Sequence, residues 1–429
     1  MLSLLASLAL AAPSFTDLGL VLRAPSDGPF AGGVGAPTVA WDGTQYVMYF
    51  ESPFLSSELP SDCATAYRIG RATSPDGLTW TMDSAAVVEP DREDPFAVYS
   101  CAVSQPAVVY KDGTWHLFVA MSDEKISSSS STNTAGGIGY LTSTDGQSFT
   151  VQQAPTALGD WEDDASGRWH EPDGGLDTLS VSMPTAVAFN DSIFVGYLSS
   201  TTSGTDTTIG MYTAQWTPST STWLLYDADA MPAWEATSWA AYGALTPSLW
   251  CDSATERFLM FTSGYTEETH TTRAVGFGSS EDFKDWTGED RWGEGVFDSI
   301  NHIDLMRAGD DWLVFYSMTD PDTDLKAIGV AVTNTAWGTP DERACEWELP
   351  IEDTGIDSGD TDTDTDTDTD TDTDTDTDID DTGEDLPDTD SGDTGGGGKD
   401  DGCSCDAGGS GAGLVLAAAG VLVTARRRR

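Results

Sequence analysis

Basic residues are scarce in this chain. Its 19 Lys and Arg stand against 72 Asp and Glu, a formal net charge of −53. A surface of that sign repels nucleic-acid phosphates and anionic lipid headgroups, which excludes nucleic acid as a partner and leaves a membrane reachable only through a terminal anchor. Neutral sugars are not excluded, because stacking and hydrogen bonds hold them. No CxxC pair occurs among the six cysteines, so zinc-site spacing is missing. The stretch from Ile351 to Asp401 has too few apolar residues to offset the entropy of ordering. What is plentiful is aromatic: 15 Trp and 12 Tyr, which suit either the core of a β protein or stacking on sugar rings.

Both ends read as addresses. The opening MLSLLASLALAAPSF has an apolar run and a small-residue Ala9-Leu10-Ala11 site, the pattern of a secretory signal peptide over residues 1–12. No Lys or Arg precedes the run, and a misplaced start codon is the competing explanation. After residues 351–402, a Thr-Asp repeat expected to be a disordered, charge-extended stalk, comes a C-terminal segment over 403–429. It places Cys403 and Cys405 in a Gly/Ser patch, then a short apolar stretch expected to be helical, then Arg426 to Arg429. That order resembles the C-terminal sorting signals of myxobacteria and their relatives, which implies that Cys403 and Cys405 mark an anchoring point; an ordinary tail anchor is the alternative. Either way the bulk of the chain is expected outside the cell, tethered at the surface.

Residues 13–350 carry a repeat. Five segments, among them GAPTVAWDGTQYVMYFES, SQPAVVYKDGTWHLFVAMSD and NHIDLMRAGDDWLVFYSMTD, are each two apolar β-rich runs joined by a polar turn. Each is followed by a second hairpin such as RIGRATSPDGLTWTM. A unit of four strands repeating about every 60–70 residues is a propeller blade. The expected fold is therefore all-β, a five-bladed β-propeller of four-stranded antiparallel blades, monomeric because a closed ring leaves no edge. The fifth unit lacks a clear fourth strand, and SFTDLGLVLRAP near the N-terminus is expected to supply it, with EWEL near Trp347 competing. The S-x-D-G-x-x-[WF] form at Ser74 to Trp80 and Ser143 to Phe149 marks structural turns.

Strand alternation collects the long loops on one face. Cys63 and Cys101 map there in neighbouring units, so a disulfide between them is geometrically sensible; Cys251 with Cys345 follows by elimination. The richest loop, Gln152 to Ser182, carries Trp161, Trp169, His170 and Glu171, residue types that stack on pyranoses and bind hydroxyls or donate protons. A solvated acidic loop is the bland alternative.

The blade grammar (a Pro-opened inner strand, an Asp-Gly turn, and an IG-x-A-x-S-x-DG-x-x-W hairpin) resembles the five-bladed glycoside hydrolases of family 43 and the arabinanase, levansucrase and invertase group. The resemblance implies a carbohydrate ligand, no required cofactor, and a His at the position of His302 beneath the substrate near a metal or ordered water, so a Ca²⁺ ion near the axis is admitted. The catalytic acids of that family would fall at Ala36, Ala107 and Ser182, none of them acidic. The five inner strands open at Ala36, Gln105, Met183, Thr246 and His302, a ring without a carboxylate, with Gln105 and His302 as its ligand-binding candidates. Hydrolysis needs two carboxyl groups across the scissile bond. The candidates elsewhere are Glu51, Asp123, Glu171 and Asp304, each with an ordinary solvated or salt-bridged acid as its bland alternative. Two functions remain open at this point: an extracellular glycosidase with relocated acids, or a non-catalytic propeller that binds glycan or another surface ligand and has lost the family's catalytic acids.

Overall fold

The computed structural model describes residues 14–349, apart from 64–65, 92–98, 123–136, 153–179, 204–205, 227–236, 238, 242–243, 268–272, 293–295 and 298–299. The expected signal segment, stalk and C-terminal anchor, with Cys403 and Cys405, lie outside the described residues, as do Asp123, Trp161, Trp169, His170 and Glu171.

No helix occurs among the described residues, which are all-β and of propeller type. β1 (Thr16–Leu22) precedes five antiparallel groups. These are β2 (Gly35–Trp41), β3 (Tyr46–Pro53), β4 (Tyr67–Ser74) and β5 (Thr81–Met82); then β6 (Ala102–Lys111), β7 (Thr114–Ser122), β8 (Gly137–Ser143) and β9 (Thr150–Val151). Next come β10 (Ser180–Phe189), β11 (Ser192–Ser203), β12 (Asp206–Thr217) and β13 (Thr222–Tyr226). β14 (Ala244–Asp252), β15 (Arg257–Tyr265), β16 (Arg273–Ser280) and β17 (Thr287–Trp292) form the fourth group, and β18 (Asn301–Ala308), β19 (Asp311–Thr319) and β20 (Lys326–Val332) the fifth. The first two groups count as one hydrogen-bonded sheet only because a single parallel pair, Tyr67 with Ala102, links them.

The inner strands neighbour one another in the cyclic order β2, β6, β10, β14, β18 and back to β2. Each is flanked on both faces by another group, which is why their sequences are apolar at nearly every position instead of alternating: β2 is buried from Gly35 through Ala40. Five apolar clusters fill the gaps between successive groups, one per gap. The fifth group is completed by β1, which pairs antiparallel with β20 from Thr16 opposite Val332 to Leu22 opposite Ile328. The N-terminal segment thus takes the place for which EWEL competed.

The C-terminal segment does something else. Its β21 (Ala344–Cys345) adds parallel to the far end of β10, opposite Ala188 and Phe189. On the way it donates from Asp341 N to Arg307 O at 2.8 Å, and beyond β21 Trp347 packs on Phe189 with ring centroids 4.4 Å apart. This strap crosses the ends of β18, β14 and β10, fastened to the middle one by the Cys251–Cys345 disulfide. The second expected bridge, Cys63–Cys101, joins the first and second groups.

Three turns share one hydrogen-bond pattern. Ser74 Oγ accepts from the N–H of Gly77 at 2.8 Å while Asp76 Oδ1 accepts from Leu78 and Thr79, and Ser143 with Asp145 repeats it. The third, Ser280 with Asp282, escapes the sequence form because Phe283 stands where the others have glycine. All three positions are left-handed, with φ of 73° at Gly77, 67° at Gly146 and 68° at Phe283. Phe283 bears that strain because its ring is fully buried between Phe194, Phe258 and Trp286.

Two stability predictions follow from these contacts. The Cys251–Cys345 bridge closes 94 residues and the Cys63–Cys101 bridge 38. Replacing the first pair by serine should lower urea-unfolding stability by about 4–5 kcal/mol and the second by slightly less, on chain-entropy grounds; equal stability with and without reductant would contradict this. In the second group, buried His116 shares a 2.7 Å hydrogen bond through Nδ1 with the Tyr140 hydroxyl, and burial pushes its pKa down from 6.5 to about 4. The unfolded chain binds the extra proton between those values, so stability should fall as pH drops from 6.5 towards 4. His116→Phe should flatten that fall by something on the order of 3 kcal/mol, read from urea midpoints at pH 7 and pH 4.

Candidate functional site

Inner strands that converge on an axis present one edge to the next inner strand, and the N–H groups there need acceptors. Four of the five junctions meet this need in one way. Thr38 Oγ1 accepts from Val108 N at 3.1 Å, Thr185 Oγ1 from Leu249 N at 2.8 Å, Ser248 Oγ from Leu305 N at 3.1 Å, and Asp304 Oδ2 from Val39 N at 2.7 Å. The corresponding residue of β6 is Ala107, which has no oxygen to offer. At that junction the bond moves two residues back: Gln105 Oε1 accepts from Met183 N at 3.0 Å.

Immediately above this tier lies the ring expected from the sequence. Ala36, Gln105, Met183, Thr246 and His302 all adopt left-handed backbone, with φ of 44°, 49°, 52°, 53° and 42°. In each inner strand the register with its hairpin partner slips across this residue. Four of the five precede proline, which already bars the ordinary helical region. A non-glycine residue held this way costs about 1–3 kcal/mol, and such strain concentrates where backbone geometry serves a ligand. The five residues and their successors line one small depression of about 30 Å³, room for a water or two but not for a sugar ring, so a larger ligand would rest on its mouth.

One carboxylate stands beside the ring. Glu51, opposite Gly35 on β3, has a side chain only 4 % exposed; its Oε1 lies 3.2 Å from Lys326 Nζ and its Oε2 accepts from Gln105 N at 3.2 Å. Burial opposes its ionisation, but Lys326, His302 and the Gln105 N–H together outweigh burial and hold its pKa below the ordinary value. Glu51 in turn raises Lys326. Gly35 leaves room for the lysine, since a Cβ there would sit 3.2 Å from Lys326 Cδ. On the neighbouring junction Ala36 N donates to Ser317 Oγ at 2.7 Å.

Asp304 sits deeper. Besides Val39 N, it accepts from Ser248 Oγ at 2.9 Å and is paired with Arg343 of the strap at 2.8 Å. Burial pushes this carboxyl up against the opposing pull of Arg343 and the Val39 N–H. Three partners on two oxygens make it a tie between β2, β14, β18 and the strap. The structure thus gathers Gln105, His302 and Glu51 at the depression and Asp304 one tier below.

Sequence reasoning missed Lys326, Ser317 and Arg343. A usable signal existed for the first: lysine directly before AIGVAV is one of few basic residues in an acidic chain, and a carboxylate at a buried strand end calls for a counter-charge. Among the described residues no group of three or more His, Cys, Asp or Glu side chains is arranged to hold a metal. The depression also fits a Ca²⁺ ion poorly: that ion takes 6–8 oxygen ligands, and both Glu51 oxygens are engaged.

No family model matches the chain, and no curated protein sequence matches it. Its fold is shared with solved structures of glycoside hydrolases. A family 117 glycoside hydrolase of the marine bacterium Zobellia galactanivorans superposes with a TM-score of 0.53 at 11 % identity, covering 75 % of this chain and 90 % of that one. A glycosyl hydrolase from Bacteroides ovatus gives 0.53 at 12 %, covering 79 % and 98 %. A structure from family 130, mannoside phosphorylases that include glycoside hydrolases targeting β-1,2 mannosidic linkages in Candida mannan, gives 0.51 at 12 %, covering 78 % and 98 %.

The Glu51–Lys326 pair is open to a direct test. Glu51→Gln should cost about 2–3 kcal/mol at pH 7, since it leaves a lysine 31 % exposed without its partner. Because the folded pKa of Glu51 is depressed, its contribution is complete above about pH 4.5 and is lost as pH falls through the folded value. The gap between wild type and variant in urea midpoint should therefore close in acid; a gap unchanged at low pH would disprove the ion pair.

Proposed function

We propose that this chain is an exported, surface-tethered propeller of five four-stranded blades that recognises carbohydrate at the depression where its inner strands converge. The observation that carries the reading is the ring of five left-handed residues at that mouth, flanked by the Glu51–Lys326 pair. Strained backbone at one end of a tightly tied scaffold is the arrangement expected of a recognition surface. The fold shared with glycoside hydrolases supports a sugar as the ligand, a fold-level warrant only. Two disulfides support an oxidising, extracellular setting, together with the terminal signals of the sequence.

Recognition is favoured over hydrolysis by the state of the acids. Glycosidic cleavage needs one carboxyl group to protonate the leaving oxygen and a second to attack or to activate water. Of the two acids that the described residues place beside or beneath the ring, Glu51 and Asp304, each has both oxygens engaged, and Glu51 is held ionised. The shared fold favours a second reading, a hydrolase whose acids are Asp123 and Glu171, both outside the described residues.

The test is to incubate the full chain with fragments of arabinan, xylan, fructan and mannan and to measure binding and new reducing ends together. Retained fragments without new reducing ends are expected. Cleavage would establish the hydrolase reading instead, and failure to retain any carbohydrate would remove both.

A further inference from the structure

The hydrogen-bonding groups at the depression are unbalanced, and the imbalance names a ligand chemistry, provided that this is where carbohydrate binds. Glu51 has one oxygen on Lys326 Nζ and the other on Gln105 N. Thr246 Oγ1 is paired with Ser263 Oγ at 2.8 Å, and Gln105 Oε1 is held by Met183 N. With Oε1 fixed that way, the Gln105 Nε2 group and its two N–H donors turn away from Met183 N and make no hydrogen bond among the described residues. Lys326 has three N–H donors, and among the described residues one is used, on Glu51, while the side chain remains 31 % exposed. Among Glu51, Thr246, Gln105 and Lys326, each acceptor oxygen thus already has a partner while donors are left over.

A neutral sugar matches such a surface less well than an anionic one. Each hydroxyl brings a proton that needs an acceptor, and a donor facing donors loses its water without compensation. A carboxylate or a sulfate ester on the sugar brings acceptors only, and its bonds to an ammonium are of the stronger, charge-assisted kind. The acidity of the whole chain opposes an anion at long range, but charges beyond about 8 Å are largely screened at physiological salt, whereas a group in contact with Lys326 is not.

We propose that the depression selects anionic sugars, uronates or sulfate esters, through Lys326 Nζ and the Gln105 amide.

The experiment pairs each anionic glycan with its neutralised form: polygalacturonate fragments with their methyl esters, and carrageenan fragments with the desulfated chains. Binding to the full chain is measured by calorimetry in 0.15 M salt. The anionic member of at least one pair should bind about tenfold or more tighter, the scale of one charge-assisted hydrogen bond. Preference in one pair alone tells carboxylate from sulfate. Equal or tighter binding of the neutralised members overturns the proposal and leaves the carbohydrate reading standing; no binding by any member, alongside no binding of the neutral fragments, overturns both. Lys326→Met alone would strand Glu51, so the variant is Glu51→Gln with Lys326→Met, checked for an unchanged circular dichroism spectrum. It should lose the tenfold preference; a preference that survives in the folded double variant overturns the proposal.

Discussion

Each inner strand here turns an edge towards the next inner strand, and the buried N–H groups between them need acceptors within the fold. The solution is a hydroxyl or carboxylate two residues after the left-handed position, accepting from the next strand: Thr38, Thr185, Ser248 and Asp304. An N–H left buried without an acceptor costs about 1–3 kcal/mol, so this tier is part of the stability of the closed arrangement as much as the apolar clusters around it. The tier also fixes what lies above it. With the backbone pinned two residues on, the left-handed residues that line the depression have little conformational freedom.

This constraint bears on the missing acids. By the chain's own repeat, Ala107 of β6, a position where the resemblance noted from the sequence implies an acid, is the counterpart of Asp304 in β18. Asp304 shows what a carboxylate does at that level in this chain: it accepts from Val39, Ser248 and Arg343. Chemistry and scaffold compete for the same positions near the axis. Here the scaffold has Asp304, the counter-charge for Lys326 has Glu51, and the β6 position has been left to alanine, with Gln105 closing that junction instead.

Much of the fold was legible because its causes are local. Paired hairpins, polar turns and the Pro-opened strands repeat visibly, and the five residues named from those openings all have left-handed backbone. The N-terminal strand was readable from its likeness to other outer strands, and it pairs with β20. What stayed hidden depends on distance or on an exception. Lys326 and Glu51 are 275 residues apart, and nothing local marks them as partners. The third Ser-Asp turn was concealed because Phe283 trades backbone comfort for a buried ring, an exchange that only its neighbours explain. The strap is hidden as well: EWEL reads at most as the competing candidate for an outer strand, since a two-residue parallel pairing leaves no periodic trace.

The strap has a mechanical consequence. Traction on the chain from beyond residue 350 would first strip Trp347 and then arrive at Cys345, where the covalent link passes it to β14. The hydrogen-bonded seam between β1 and β20 lies outside that load path, as do Arg343 and the tier it joins. A propeller held from its C-terminal side in flowing or crowded surroundings would thus be pulled by its fourth sheet, while the ring at the opposite end of the inner strands kept its shape.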